Sequence, residues 1–337
     1  MIIKKKLYKP FILTIPDDTS IFSIMDLDNP ICRKIIMENY INFYGFRDYP
    51  REYILFRFEN FMNYETISEL NRCFYEMRIL KKYYNGPNLM IQLLREDYVI
   101  MLPISRCCIR FYGSGNRGHH LLFIFGVDTE RKIFFCKDFS ERRFVEFEVS
   151  FDEIKRSLDI YFREFSRESD GLLAIKVNPN SSTEIDYSKV YCEFYKLKQS
   201  FYTNEAGYGV GAINLMIYDV KRRPDEYTNA DSLRNISFYL LEASKLLTYR
   251  YRIFSDEIVK HKIGTDMDES ILGKLCRDVK IFYYQIEKLS LKGSEISMDM
   301  MTSLCKMMET CRDDFYEIAD YICNLISTFE KKRYRLF

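Results

Sequence analysis

The stretch GHHLLFIFGVDTERKIFFCKD, residues 118–138, decides how this chain folds. Two apolar runs rich in Phe, Ile and Val flank the polar segment DTERK, and this pattern predicts a β-hairpin. If the chain turns near Thr129, His120 lies opposite Asp138, with Cβ atoms within about 5 Å of each other. His119 then points to the other face of its strand.

The predicted pairing of a histidine with an acid suggests a chemical role for the hairpin. An imidazole held by a carboxylate is the orienting half of a nucleophilic triad. His120 is therefore a candidate base, with Asp138 as its orienting acid. A change of one residue in the turn would exchange His120 for His119, because neighbouring strand residues face opposite sides.

A candidate nucleophile stands at the start of a predicted helix, NPICRKIIMENYINFYG, residues 29–45. Asn29 can cap this helix, Pro30 suits its first position, and Gly45 can end it. Cys32 then lies in the first turn, where unpaired N–H groups and the helix dipole favour a thiolate and can stabilise an oxyanion. The alternative is that Cys32 is a small core residue, as free cysteines usually are.

The wider pattern predicts two domains. Strands are mixed with helices in the first half of the 337 residues, and helices alone follow the turn-rich segment 171–182. This order indicates an α+β domain over residues 1–180 and a mainly helical domain over 181–337. Within the first domain, residues 64–85 are predicted to be a helix and CCIRFYG, residues 107–113, a strand.

Composition narrows the function classes. The 50 Lys and Arg nearly balance 49 Asp and Glu, which argues against general attraction to nucleic acid or anionic lipid. Ten cysteines without a signal peptide or a membrane-length apolar run indicate reduced thiols in a cytoplasmic protein. The cysteine spacings do not fit a zinc site, so we expect no metal. The segment GYGVGA is not a G-x-G-x-x-G phosphate loop, and we expect no bound cofactor.

The segments CRKIIMENYINFYG and HLLFIFGVDTERKIFFCKD resemble those of bacteriocin-processing papain-like peptidases. They are more similar still to the butirosin biosynthesis protein H N-terminal family, over about residues 25–160 and weakly to 220. The resemblance implies a papain-like fold, with Cys32 as nucleophile, His120 as base and Asp138 as orienting acid. The peptidases carry a glutamine oxyanion donor before the cysteine, where this chain has DLDNPIC. Asn29 is the tentative substitute, unless it is only a helix cap.

The same resemblance implies an activity. These proteins are acyltransferases that take acyl groups from thioesters on the phosphopantetheine arm of an acyl or peptidyl carrier protein. We expect transfer to an amine, forming an amide in natural-product or nonribosomal peptide biosynthesis, as in a closthioamide-type amide synthase. A papain-like hydrolase (peptidase or thioesterase) and a catalytically silent carrier-protein-binding module stay open. Arg33, Lys34 and Arg47 are candidates for docking an acidic carrier protein.

Overall fold

The structure, a computed structural model, describes residues 1–11, 13, 16–39, 41–48, 53–58, 74–80, 86–113, 118–140, 143–164, 171–260, 269–293 and 295–334. Its strands are β1 (Ile2–Lys4), β2 (Phe43–Asp48), β3 (Tyr53–Phe58), β4 (Phe74–Leu80), β5 (Val99–Ser105), β6 (His119–Asp128), β7 (Ile133–Ser140), β8 (Arg143–Ser150), β9 (Gly171–Val177) and β10 (Ala206–Tyr208). Its α-helices are α1 (Pro16–Ser23), α2 (Pro30–Glu38), α3 (Pro87–Arg95), α4 (Phe151–Glu164), α5 (Tyr187–Leu197), α6 (Val210–Arg222), α7 (Ala230–Lys260), α8 (Glu269–Lys292) and α9 (Met298–Tyr334).

The chain divides into two compact units. The first comprises Met1–Ile31 and Ile67–Ser182, and the second comprises Cys32–Thr66 and Thr183–Phe337. The expectation of a mixed α/β protein with a helical C-terminal region is confirmed. The papain-like form of that fold stays a prediction.

The first unit is built on a seven-stranded sheet with the order β4-β9-β5-β6-β7-β8, and β1 pairs with β6 outside this path. Helices α3 and α4 contribute apolar side chains to a core on one face of the sheet, because their buried residues recur at helical spacing. The central members of this core are Leu94, Leu102, Leu122, Ile124, Phe134, Cys136, Ile154 and Leu158. A capping box begins α4, since Ser150 N–H donates to Glu153 (2.9 Å) and Glu153 N–H donates back to Ser150 Oγ (3.2 Å).

The predicted hairpin forms, but at its His120 end each residue pairs two positions away from the predicted partner. Phe123 pairs with Lys137, and a bulge lies between Ile124 and Gly126. His120 and Asp138 are therefore diagonal neighbours instead of directly opposite residues. Because the offset is even, both side chains stay on the same face, and a diagonal pair of long side chains can still touch.

Gly126 has a structural reason to be glycine. It pairs with Lys4 of β1, and a Cβ atom at this position would lie 2.6 Å from the carbonyl oxygen of Ile3. A side chain here would push β1 away from β6. The glycine therefore permits the close approach of a third strand to the hairpin.

Two local predictions in the first unit are wrong. Within the segment predicted to be a helix, Phe74–Leu80 is strand β4, paired with β9; residues 64–73 and 81–85 lie outside the described residues. The segment 107–113 falls in two short 3₁₀ helices, Arg106–Cys108 and Arg110–Tyr112. Pairing with a distant strand overrides helical propensity in the first case, and local turns replace the ladder in the second.

The second unit combines a small sheet, in the order β10-β2-β3, with helices α5 to α9. The C-terminal region is helical, as predicted, and its three long helices are α7, α8 and α9. Gly45 does not end the Cys32 helix as predicted. Helix α2 stops at Glu38, and Gly45 pairs with Phe56 and Gly207 within the sheet.

A buried carboxylate links the small sheet of this unit to its helices. Asp219 on α6 is 1% exposed and accepts hydrogen bonds from Arg47 (2.5 Å), Arg223 (2.8 Å) and the Tyr227 hydroxyl (2.5 Å). Burial and the neighbouring Asp219 raise the pKa of Tyr227, so its hydroxyl stays a donor. The two arginines neutralise the Asp219 carboxylate, which would destabilise the fold if it were buried without a counter-ion.

Candidate functional site

The structure brings His120 and Asp138 together at one end of the core face of the first unit. His120 Nε2 lies 2.5 Å from Asp138 Oδ2, and the two side chains are 13% and 3% exposed. The ring N–H does not point along this contact, so the attraction is electrostatic more than a well-directed hydrogen bond. The two residues continue the buried rows of Leu122 and Cys136, which places the pair in surroundings of low polarity.

Asp138 is held in place by two further donors. The Tyr112 hydroxyl donates to the same Oδ2 atom, and the Phe139 N–H donates to Oδ1 at 2.7 Å. Burial, with the charge of Asp138 beside it, raises the pKa of Tyr112 and keeps this hydroxyl protonated. The Tyr112 ring also meets the His120 ring edge-on, with centroids 5.6 Å apart. The carboxylate that faces the imidazole is therefore fixed on both of its oxygens.

The other imidazole nitrogen of His120 faces an arginine. Arg106 Nη2 lies 3.0 Å from His120 Nδ1. A guanidinium can only donate, so Nδ1 must accept and carry the lone pair, which leaves the proton on Nε2, the nitrogen nearer Asp138. This is the tautomer that a general base needs if Nδ1 is the nitrogen that takes the proton.

His119, the alternative base, lies elsewhere. It pairs across the ladder with Ser105, and its ring centroid is 6.4 Å from that of Tyr161 on α4. The alternation of the strand thus separates the two adjacent histidines, and the structure gives the acidic neighbour to His120.

Cys32 lies in the first turn of α2, as the sequence predicted, and its side chain is 1% exposed. Asn29, the tentative oxyanion donor, acts here as the helix cap, since its Oδ1 accepts the Ile31 N–H at 2.9 Å. Cys32 belongs to the second unit, whereas His120 and Asp138 belong to the first. That Cys32 serves as nucleophile for this pair stays a prediction, as does an oxyanion role for Asn29.

Two other thiols lie in the first unit near the end of β5. Cys107 Sγ is 3.2 Å from Ser105 Oγ and 3.8 Å from Cys108 Sγ. Burial, together with the neighbouring Cys107, raises the pKa of Cys108, so this thiol is not activated. Across the described part of the chain, no group of three or more His, Cys, Asp or Glu side chains could hold a metal ion.

Sequence reasoning missed Tyr112 and Arg106. Both fall at or beside the segment predicted to be a strand. Arg106 continues the register of β5 with β6, whereas the two short 3₁₀ helices turn Tyr112 toward His120. One signal was available: an arginine and a tyrosine close to a histidine-bearing strand. No short stretch of the sequence specifies the turns that bring Tyr112 to His120.

Two of the three residues proposed for docking are already paired within the second unit. Lys34 contacts Glu38 at 2.5 Å, and Arg47 contacts Asp219 at 2.5 Å; each basic side chain is 13% exposed. They are not free charges on a surface, because buried partners neutralise them. The docking role of Arg33 stays a prediction.

No protein-family model matches the chain, and no curated protein matches it.

None of the described helices has the length and apolar character needed to cross a membrane.

Proposed function

We propose that this protein is a cysteine acyltransferase that moves an acyl group from a carrier-protein thioester to an amine. The observation that carries the proposal is the His120–Asp138 pair, with 2.5 Å between Nε2 and Oδ2 and the carboxylate fixed by Tyr112 and Phe139. A buried carboxylate that orients an imidazole is the arrangement that activates a nucleophile. The sequence resemblance supplies the thiol, Cys32, and the thioester substrate.

The proposed reaction has two stages. The Cys32 proton passes to His120 Nδ1, the thiolate attacks the thioester carbonyl, and the pantetheine thiolate leaves with the proton from the imidazolium. An amine then attacks the acyl-cysteine, gives a proton to His120, and expels the Cys32 thiolate, which is reprotonated. The products are an amide and the free carrier thiol. A thioester is already activated, so the balance requires no nucleotide.

A catalytically silent carrier-binding module is the second candidate, and two observations favour it. Arg106 occupies the nitrogen of His120 that would take the proton, and Cys32 is 1% exposed. A hydrolase would use the same two stages with water as the second nucleophile. The three functions therefore differ in whether a covalent intermediate forms and in what resolves it.

The deciding experiment supplies an acyl-pantetheine thioester and an amine, and follows both the protein mass and the released product. We expect an acyl adduct on Cys32 and an amide product in the wild type. Cys32→Ala should abolish both, and His120→Ala should lose a factor of about 10²–10⁴ in kcat/KM. His119→Ala and Cys107→Ala are the matched controls and should keep most of the activity.

Each other outcome has a distinct meaning. A carboxylic acid in place of the amide would favour the hydrolase. A folded protein that forms no adduct but still binds the carrier protein would favour the silent module. An adduct on Cys107 or Cys108 would move the nucleophile to the first unit, and full activity of both histidine variants would refute the triad.

A further inference from the structure

Arg106 is placed beside His120 by the strand register. Ile104 of β5 pairs with His120 of β6, and two residues further along the Arg106 N–H donates to the Gly118 carbonyl at 2.9 Å. Arg106 is thus two residues beyond the partner of His120 and shares its face. Gly118 has no side chain, so the guanidinium can cross to Nδ1, 3.0 Å away.

The charge of Arg106 is poorly satisfied in this position. Its Nε is buried without a hydrogen-bond partner, and the guanidinium forms no ion pair with a carboxylate of the described residues. Its recorded neighbours are the His120 ring and the face of Tyr112, with 5.5 Å from the guanidinium carbon to the ring centroid. A partly buried cation with unused donors favours an anionic partner.

The two relevant donors lie on one edge of the guanidinium. Nε–H and Nη2–H form the planar fork that binds a carboxylate or phosphate through two parallel hydrogen bonds. The Nε–H group has no hydrogen-bond partner, and the Nη2 group lies against His120 Nδ1. An anion that binds this edge would compete with the imidazole for Nη2.

We propose that Arg106 is an anion-recognition residue that uncovers the base when the substrate binds. An oxyanion of the substrate, either a carboxylate of the acyl chain or a phosphate of the carrier arm, draws the guanidinium away from Nδ1. The lone pair of His120 then becomes available to take a proton. This role rests on the proposed function, but its binding step does not require turnover.

The test uses the full-length protein labelled with ¹⁵N-histidine. The chain has three histidines, so His119→Asn and His120→Asn suffice to assign the His120 resonances. We expect Nδ1 to be unprotonated and hydrogen-bonded in the absence of anion. Inorganic phosphate or acetate should shift its resonance saturably, whereas chloride at the same ionic strength should not; the anion with the larger response identifies the phosphate or the carboxylate as the recognised group.

Three variants separate recognition from general charge effects. Arg106→Gln should weaken the anion response at least about tenfold, and Arg106→Lys, which keeps the charge but loses the fork, should not restore it. Arg110→Gln, which removes a neighbouring arginine that is 91% exposed, should respond like the wild type. An Nδ1–H tautomer, or an Arg106→Gln protein that responds like the wild type, would overturn the proposal.

Failure of this inference is distinguishable from failure of the proposed function. If the wild type forms amide while the His120 resonances ignore anions, only the role of Arg106 is wrong. If anions shift the His120 signal but no acyl adduct forms, anion recognition stands and the acyltransferase does not.

Discussion

Replacing Asp138 with asparagine should disturb both the fold of the hairpin and the tautomer of His120. The amide oxygen can still accept the Phe139 N–H, so the NH₂ group then takes the place of Oδ2. That group meets the Tyr112 hydroxyl and the His120 Nε2–H. Tyr112 can rotate its hydrogen and accept, but two N–H groups facing each other repel.

The other tautomer of His120 does not relieve this conflict. If His120 moves its proton to Nδ1, that nitrogen faces the Arg106 donor at 3.0 Å, so the conflict shifts from one side of the ring to the other. A hydrogen bond to a charged group contributes about 1.5–3 kcal/mol, and an unsatisfied buried donor costs a similar amount. Because Asp138 is 2% exposed, little solvent screens this loss, and we expect about 3 kcal/mol of destabilisation. If the proposed chemistry holds, kcat/KM should fall about 10⁴-fold, as it does when a triad aspartate loses its charge.

Tyr112→Phe is the matched control, because it removes one donor to the same carboxylate and leaves the charge intact. We expect it to cost about 1.5 kcal/mol while His120 keeps its proton on Nε2. Urea unfolding can be followed by circular dichroism or tyrosine fluorescence, since the chain has no tryptophan. Hydrogen exchange along β6 and β7 would show whether the loss is local to the hairpin.

The reasoning fails if Asp138→Asn leaves both the unfolding free energy and the ¹⁵N tautomer signature of His120 unchanged. It also fails if Tyr112→Phe changes the tautomer as strongly as Asp138→Asn does. The first result would mean that the carboxylate does not hold the ring. The second would mean that the hydroxyl does.

Three further changes test other parts of the structure. Asp219→Asn should destabilise the second unit by about 3–5 kcal/mol, because two arginines lose their buried counter-ion, whereas Tyr227→Phe should cost about 1 kcal/mol; urea unfolding would refute this if the two were equal. Burial alone would raise the pKa of Glu153, but hydrogen bonds from Ser150 lower it. The ionised carboxylate therefore stabilises the folded protein above the ordinary glutamate pKa, and this stabilisation is lost as the pH falls through the lowered pKa. Glu153→Gln should therefore cost about 1 kcal/mol near neutral pH and flatten the acid limb of the stability curve; an unchanged limb would contradict this. Gly126→Ala should increase hydrogen exchange in β1 and cost about 1–3 kcal/mol, whereas Gly273→Ala, in open space on α8, should be neutral or stabilising.

The sequence by itself determined the elements whose signals are local. The hairpin of β6 and β7 follows from two apolar runs around a polar turn, and the start of α4 follows from the Ser150–Glu153 capping box. The first turn of α2 follows from Asn29 and Pro30, whose side chains act on neighbours a few residues away.

Tertiary structure decided what depends on distant pairing. The one-residue shift at the bulge near Gly126 puts His120 and Asp138 on one face of the hairpin and makes their contact diagonal. Pairing with β9 makes a strand of Phe74–Leu80. The β5–β6 register places Arg106 beside the imidazole, and the turns after β5 bring Tyr112 to it. Capping and alternation act between residues close in the chain, so a short stretch of sequence specifies them. Register and the neighbours of a buried ring depend on packing between strands far apart in sequence, and no short stretch contains that information.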